Sequence, residues 1–354
     1  MYNASRSTHY PAHEADERHS RCDADMIAVE NLAKHYQLAS GLRAIFDARR
    51  DQVLRAVDGV SFTLQAGEVL GLVGESGCGK STMGRLLVGL EEPGAGSVRF
   101  GGTDAQALRR TDRRAFHRRV QMIFQDPYGS LNPQHTIGEI VARPLIYQGV
   151  QRGAAMQARV IAALEQAGLS PVEQYLHKFP HQISGGQRQR VCIARAIVLE
   201  PEVLVADEPI SMLDVSIKWG IIRLLRRLVR ERGIALLYIT HDLATVGAVC
   251  DRLAIMYLGR IVEIGPTQQV LTAPRHPYTA ALVSAIPNPE PGAKRAAPAI
   301  HGAIPDASAL PPGCRFAPRC PRALRACAAS DPALSAEAVH SAACINPLPA
   351  REEE

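Results

Sequence analysis

The sequence predicts an α/β fold: a parallel sheet with helices on both faces, preceded by antiparallel strands. Three observations predict it. An apolar strand over Val69–Val73 runs into a glycine-rich turn and then a helical stretch from about Lys80. Two further apolar runs, PEVLVADEP and IALLYITHD, flank the helical segment SIKWGIIRLLRRLVRERG. Strands that are apolar on both faces and alternate with helices belong to sheets covered on both sides. Upstream, MIAVENLAKHY and VLRAVDGVSFTL alternate apolar and polar residues, as half-buried antiparallel strands do.

Composition bounds the rest. At about 100–200 residues per domain, 354 residues make two or three units, and 46% hydrophobic residues can fill a sizeable core. The chain has 40 Lys and Arg against 35 Asp and Glu, a balance of only +5, which argues against a dedicated polyanion binder. No run of 18 apolar residues occurs, so no segment is expected to span a bilayer. The first twenty residues lack an apolar core, so no secretory signal is expected. Full disorder, collagen and a small disulfide scaffold are excluded.

Taken in order, residues 1–24 are polar and rich in His, Arg and Asp and read as a disordered leader. After the alternating strands and the strand–turn–helix unit, GSVRFGG reads as another short strand. LRRTDRRAFHRRV carries Arg109, Arg110, Arg113, Arg114, Arg118 and Arg119. It reads as a solvated helix rather than a nucleic-acid contact, because no aromatic residues interleave for base stacking. Residues 136–196 are rich in helix formers with apolar spacing near 3.6, as in QARVIAALEQAGL. RLAIMYLGRIVEIG predicts a hairpin around Leu258 and Gly259. From about Pro266 the composition shifts, and Pro and Ala dominate 287–350, an irregular appended region.

Chemistry enters at the first turn. Gly74, Glu75, Ser76, Gly77, Cys78, Gly79, Lys80 and Ser81 fit G-x-x-x-x-G-K-[ST], followed by Thr82. Glycines let successive backbone N–H groups curl around phosphate oxygens, and the following helix points its N-terminus at the same anion. Lys80 should meet the β- and γ-phosphates, and the Ser81 hydroxyl should hold Mg²⁺. The strand VLVAD ends in Asp207 and Glu208, at the strand ends where open α/β sheets bind ligands. Asp207 there would serve Mg²⁺ through water, and Glu208 would orient and deprotonate an attacking water. ISGGQ, Ile183 to Gln187, opens a helix and makes a second anion site. Gln125 follows the apolar run Met122–Phe124, and His241 ends the strand IALLYIT. Singly, a Gln or His after a strand is ordinarily structural; the order of all five pieces is what is informative.

That order (phosphate loop, Gln, SGGQ, Asp-Glu, His) resembles the ATP-binding cassette ATPases over about residues 26–290. The resemblance implies a P-loop NTPase (RecA-like) core with an antiparallel β subdomain, a helical signature subdomain and an irregular C-terminal extension. The expected boundaries are 25–126 and 197–270 for the core, 127–196 for the helical part and 271–354 for the extension. It implies head-to-tail dimers in which Ser184, Gly186 and Gln187 serve the mate's ATP. Tyr36 sits where the family stacks adenine, Gln125 resembles the lid glutamine that senses Mg²⁺ and contacts the membrane subunit, and His241 resembles the switch histidine near the γ-phosphate. Asp214 resembles an aspartate that communicates across the dimer. VGESGCGKST, MIFQDPYGSLNP, HDLATV, MYLGRIVEIGPT and HPYTAALVSAIP further resemble the ATPase subunits of oligopeptide and dipeptide importers, closest to the second of that system's paired ATPases. This implies ATP hydrolysis at the cytoplasmic face of the inner membrane, with a paired ATPase, two transmembrane permease subunits and an extracytoplasmic solute-binding protein as partners, and no nucleic acid. A soluble cassette ATPase acting on nucleic acid or ribosomes is the alternative; those usually carry two cassettes in one chain or a coiled-coil insertion, which this sequence lacks. Met212, Lys218 and Trp219 depart from the family's usual small or polar residues near Asp214.

Eight cysteines remain, four of them crowded at the end: Cys314, Cys320, Cys327 and Cys344, spaced C-x5-C-x6-C-x16-C. Four thiolates can hold Zn²⁺ or a [4Fe–4S] cluster, and free thiols are the plain alternative. The spacing fits neither a zinc finger nor the common ferredoxin run; the resemblance favours the iron–sulfur cluster. Cys78, beside a helix N-terminus, is expected to be partly exposed with a lowered pKa and no catalytic role.

Overall fold

A computed structural model of the chain describes residues 26–38, 52–286, 300–334 and 338–349. The leader expected over 1–24 lies outside the described residues. Strands β1 (Ile27–Gln37), β2 (Val53–Leu64), β4 (Ala95–Phe100) and β5 (Thr103–Asp104) form one antiparallel sheet in the order β2-β1-β4-β5. The seven-stranded sheet runs β11-β10-β9-β3-β8-β7-β6, from β3 (Val69–Val73), β6 (Val120–Ile123), β7 (Val203–Asp207), β8 (Ala235–Thr240), β9 (Arg252–Tyr257), β10 (Arg260–Pro266) and β11 (Ser341–Ala342). From β9 to β6 all pairings are parallel, and β10 and β11 add an antiparallel edge.

The two-residue period of the central strands explains why they must be apolar throughout. Val69, Leu204, Ala206, Leu236 and Tyr238 feed one core, while Leu70, Leu72, Val203, Val205, Leu237 and Ile239 feed the other. The second core packs the antiparallel sheet and α1 (Lys80–Leu87) against one face; the first packs the helices against the opposite face.

The arginine-rich segment is not one helix. It divides into α2 (Ala105–Thr111) and α3 (Arg113–Arg119), because Asp112 leaves helical geometry and accepts the Ala115 N–H at 2.9 Å as N-cap of α3. The long helical run expected over 136–196 likewise resolves into separate pieces. After α4 (Pro127–Ser130) come α5 (Ile137–Tyr147), α6 (Ala154–Gln166), α7 (Glu173–Leu176) and α8 (Gly185–Ile197). Gly149 and Gly168, at φ +83° and +76°, end α5 and α6 in the left-handed conformation that glycine takes without a Cβ clash. Then follow α9 (Val215–Arg232), α10 (Leu243–Val249), α11 (Thr267–Thr272) and α12 (Pro277–Ser284).

The C-terminal region is irregular, as expected, but it is knitted in rather than merely appended. Its β11 pairs Ser341 with Ile264 and Ala342 with Glu263 on β10. Glu263 is fully buried and accepts from the Arg275 and His276 backbone N–H groups, both at 2.8 Å, and from His340 Nε2 at 2.6 Å.

Candidate functional site

The phosphate loop occupies the turn between β3 and α1, and its glycines are fixed by close approach. A Cβ on Gly79, at φ +109°, would stand 1.9 Å from the Ala56 carbonyl oxygen, and one on Gly74 would stand 2.1 Å from that of Met256. Neither clash can be relieved by a side-chain rotation, since the obstacle is backbone. Lys80 is buried and donates to the carbonyls of Gly74 at 2.7 Å and Glu75 at 2.9 Å, folded back across the loop.

The loop borders a cleft of about 260 Å³ lined by Tyr36, Ser76, Gly77, Gly79, Lys80, Ser81, Thr82, Gln125 and Glu208. Residues separated by 172 positions therefore meet at one hollow. Tyr36 lies near the end of β1, paired with Leu54 of β2, which also lines the cleft, and Lys34 Nζ stands 5.2 Å from its ring centre.

The strand-end carboxylates take different positions. Asp207 is buried and accepts from the Ser81 hydroxyl at 3.2 Å. Burial pushes its carboxyl up; the Ser81 bond opposes this and the Glu208 charge adds to it. Side by side, this carboxyl and hydroxyl offer the oxygen ligands that a hard cation takes. Glu208 follows at φ +46°, a left-handed conformation unusual for a non-glycine residue. Its N–H donates to Ile239 O at 2.9 Å, and the Ser211 hydroxyl donates to its carbonyl at 3.0 Å, which holds the turn. The side chain is then fixed from both sides: Gln125 Nε2 donates to Oε2 at 2.8 Å, and His241 Nδ1 lies 2.8 Å from Oε1. An ionised carboxylate only accepts, so that network assigns the His241 proton to Nδ1.

Other expected site residues lie elsewhere. Ser184 and Gln187 form a capping box at the start of α8: Ser184 Oγ accepts the Gln187 N–H at 3.3 Å, and Gln187 Oε1 accepts the Ser184 N–H at 2.9 Å. Neither they, nor buried Gly186, nor exposed Asp214 line the cleft of their own chain. Glu75 turns its carboxylate away from the cleft to Arg319, at 2.7 and 3.1 Å. Cys78 corrects the sequence-based expectation: it is buried, and burial raises its thiol pKa, with the Lys80 charge opposing only in part. Met212 and Trp219 are exposed.

On the other side of Gln125 lies a larger groove of about 640 Å³, lined by Arg85, His117, Phe124, Asp126 and Arg195 among others, with Phe124 exposed. The four C-terminal cysteines line one small enclosed hollow with His276 and Phe316. Their sulfurs face backbone N–H groups: Leu324 N lies 3.3 Å from Cys327 Sγ, Asn346 N lies 3.4 Å from Cys344 Sγ, and backbone donors near Phe316 and Arg322 serve Cys314 and Cys320. Among the described residues no group of three or more His, Cys, Asp or Glu is arranged to hold a single metal ion.

Sequence reading missed Arg319, Arg315 and Tyr278. Tyr278 lies in HPYTAALVSAIP and the two arginines in GCRFAPRC, and no local pattern ties either segment to a loop some 200 residues earlier.

Comparison with known proteins gives concordant matches. Residues 57–211 match the ABC transporter family model, and residues 262–327 match the model for the oligopeptide/dipeptide transporter C-terminal region. The chain is 42% identical to the oligopeptide transport ATP-binding protein OppF of Escherichia coli over 323 residues, 90% of this chain and 96% of that protein. It is 45% identical over 324 residues to an ATP-binding protein of Brucella ovis named for peptide import, covering 91% of this chain and 98% of the relative. Among solved structures it is similar to the cassette MJ0796 in a dimeric post-hydrolysis state with ADP and phosphate, with TM-score 0.58 and 28% identity over 68% of this chain and 99% of that one.

Proposed function

The chain belongs to the ATP-binding cassette transporter family, and on that premise we propose that it is the subunit that hydrolyses ATP to power a peptide importer. The observation that carries the hydrolytic reading is the Glu208 carboxylate fixed between Gln125 and His241 at the rim of the cleft over Lys80 and Ser81. The peptide reading is supported by relatives matched over nearly their whole length and by the match over residues 262–327.

The reaction is ATP + water → ADP + phosphate. Lys80 leaves its carbonyl partners for the β- and γ-phosphates, and the loop amides from Ser76 to Thr82 surround them. Ser81 and Asp207 would hold Mg²⁺, assisted by Gln125, and the ion's charge offsets that of the phosphates. Glu208 accepts the proton of the attacking water, with His241 and Gln125 setting its orientation. Tyr36 stacks on the adenine. Ser184, Gly186 and Gln187 complete the site of a mate, which explains why their own chain holds them away from its cleft, and Asp214 and exposed Met212 lie on the same joint. The dimeric solved cassette supports that geometry.

The mate is a second, different cassette ATPase. The groove beside Gln125 and Phe124 is the contact for the membrane subunit, the two permease subunits place the assembly's ATPases peripherally at the cytoplasmic face, and a solute-binding protein delivers cargo to them. Among the described residues no helix is long and apolar enough to cross a membrane. For the cysteine hollow the reading is the [4Fe–4S] cluster that the resemblance implies, supported by four cysteines that line one hollow and meet backbone donors.

Glu208→Gln tests the hydrolytic reading. The variant should bind ATP normally and lose turnover by at least about 100-fold, the lower end of what a positioned general base contributes. Turnover at the unaltered rate would remove Glu208 from the role. Co-purification with nucleic acid instead of membrane subunits would favour the soluble alternative.

A further inference from the structure

Glu75, the second residue of the phosphate loop, makes no contribution to the cleft, yet all of its polar groups are engaged. Its carboxylate takes Arg319 Nη1 at 2.7 Å and Nη2 at 3.1 Å. Its N–H donates to the Tyr278 hydroxyl at 3.0 Å, and its carbonyl accepts from Lys80 at 2.9 Å. Arg319 and Tyr278 both belong to the C-terminal extension, 244 and 203 residues further along the chain.

The anchors themselves are buried and packed. Arg319 is 6% exposed, with its guanidinium 5.8 Å from the Tyr257 ring centre. Tyr278 is fully buried, its ring 4.7 Å from Tyr257 and 5.4 Å from Phe316, centre to centre. Phe316 and Arg319 lie between Cys314 and Cys320, so the cysteine-bearing segment carries this grip directly. A second contact comes from the same segment. Arg315 donates to the Leu258 carbonyl and to Asp58, and in that turn Gly259 N–H donates to the Cys78 carbonyl at 2.9 Å. The loop is thus held from the extension at Glu75 directly and at Cys78 through one turn.

We propose that the C-terminal extension positions the phosphate loop, with Arg319 and Tyr278 as the positioning residues, so that ATP affinity is set in part from outside the nucleotide-binding core. The physical reason is pre-organisation. When Lys80 leaves the Gly74 and Glu75 carbonyls for phosphate, the loop loses its internal cross-brace, and only a loop fastened from outside keeps its amides converged. A two-pronged arginine–carboxylate pair fixes both distance and plane, which a single lysine cannot do. Because the amides grip the phosphates before and during the reaction, loosening them weakens binding and transition state alike.

The proposal rests on the ATPase reading, and the experiment separates the two. In the full-length protein, Arg319→Gln should raise both the dissociation constant of a fluorescent ATP analogue and KM for ATP about tenfold, with kcat within about twofold of the unaltered protein. A merely structural role would instead lower the active fraction, reducing kcat at constant KM. Glu75→Gln should weaken binding similarly, and the double variant should be no worse than either alone, since both remove one interaction. If Arg319→Gln does not fold, Tyr278→Phe decides: it keeps the ring packing and loses only the acceptor for Glu75 N–H, so binding about threefold weaker supports the proposal. Unchanged affinity in folded Arg319→Gln or in Tyr278→Phe, or additive losses in the double variant, overturns it while leaving the ATPase reading intact. Absence of nucleotide binding in the unaltered protein sinks both.

Discussion

Glu208 and Cys78 show how far a residue's type underdetermines its chemistry. Both follow from motifs. For Glu208 the surroundings suit the proposed base: a left-handed turn puts the carboxylate at the cleft, and two hydrogen-bonding partners fix it from both sides. For Cys78 the surroundings cancel the expected effect. A helix N-terminus favours a thiolate, but Cys78 is only 4% exposed, and desolvation outweighs the Lys80 charge. The folded protein treated with iodoacetamide at pH 8 should therefore leave Cys78 unmodified by peptide mass spectrometry, while the denatured chain is alkylated there. Rapid labelling in the folded state would restore the reactive-thiol reading.

At the scale of an element, α12 illustrates a cap that also senses pH. His276 is its N-cap: Nδ1 accepts the Tyr278 N–H at 3.1 Å, which requires an unprotonated nitrogen. Burial lowers its pKa to about 4, with the Glu263 charge opposing. The unfolded chain takes up a proton near pH 6.5, and the folded chain declines it until about pH 4. Between those limits the unfolded state binds more protons, so stability falls as pH falls, by on the order of 2–3 kcal/mol across the window. His276→Asn keeps an acceptor for the cap and does not titrate. Its melting temperature should decline less than that of the unaltered protein between pH 6.5 and 4.5; parallel declines would exclude His276 as the group responsible. The helical subdomain teaches a related lesson. Propensity predicts helix over 136–196 as a whole, but Gly149, Gly168 and the turn before Pro180 divide it, and the breaks let α8 lie against both α5 and α6.

Across the whole molecule, the described part of the extension is fastened at several places, among them Arg319 to the phosphate loop, Arg315 to Asp58, β11 and His340 to buried Glu263, and Arg260 to Asp331 at 2.7 Å. The cysteines belong to the same segment as these fastenings, so the proposed cluster would bear on them. Protein purified without oxygen should carry four iron and four sulfide per chain, with a brown charge-transfer absorbance. Cys320→Ser should lose both and melt at a lower temperature. Iron-free protein, or zinc bound one to one, would exclude the cluster.

The sequence by itself determined the local motifs and the order of the central elements. The phosphate loop, the acidic strand end, the SGGQ turn and the fully apolar strands are local patterns, each dictated by the backbone geometry or burial of a few adjacent residues. Tertiary structure alone decided where those parts point: that Gln125 and His241 converge on Glu208, that SGGQ faces away from its own cleft, that Cys78 is sealed, and that Arg319 reaches back to Glu75. Those outcomes depend on contacts between residues far apart in the chain and on how much water is excluded around them, and neither quantity is encoded in any local spacing.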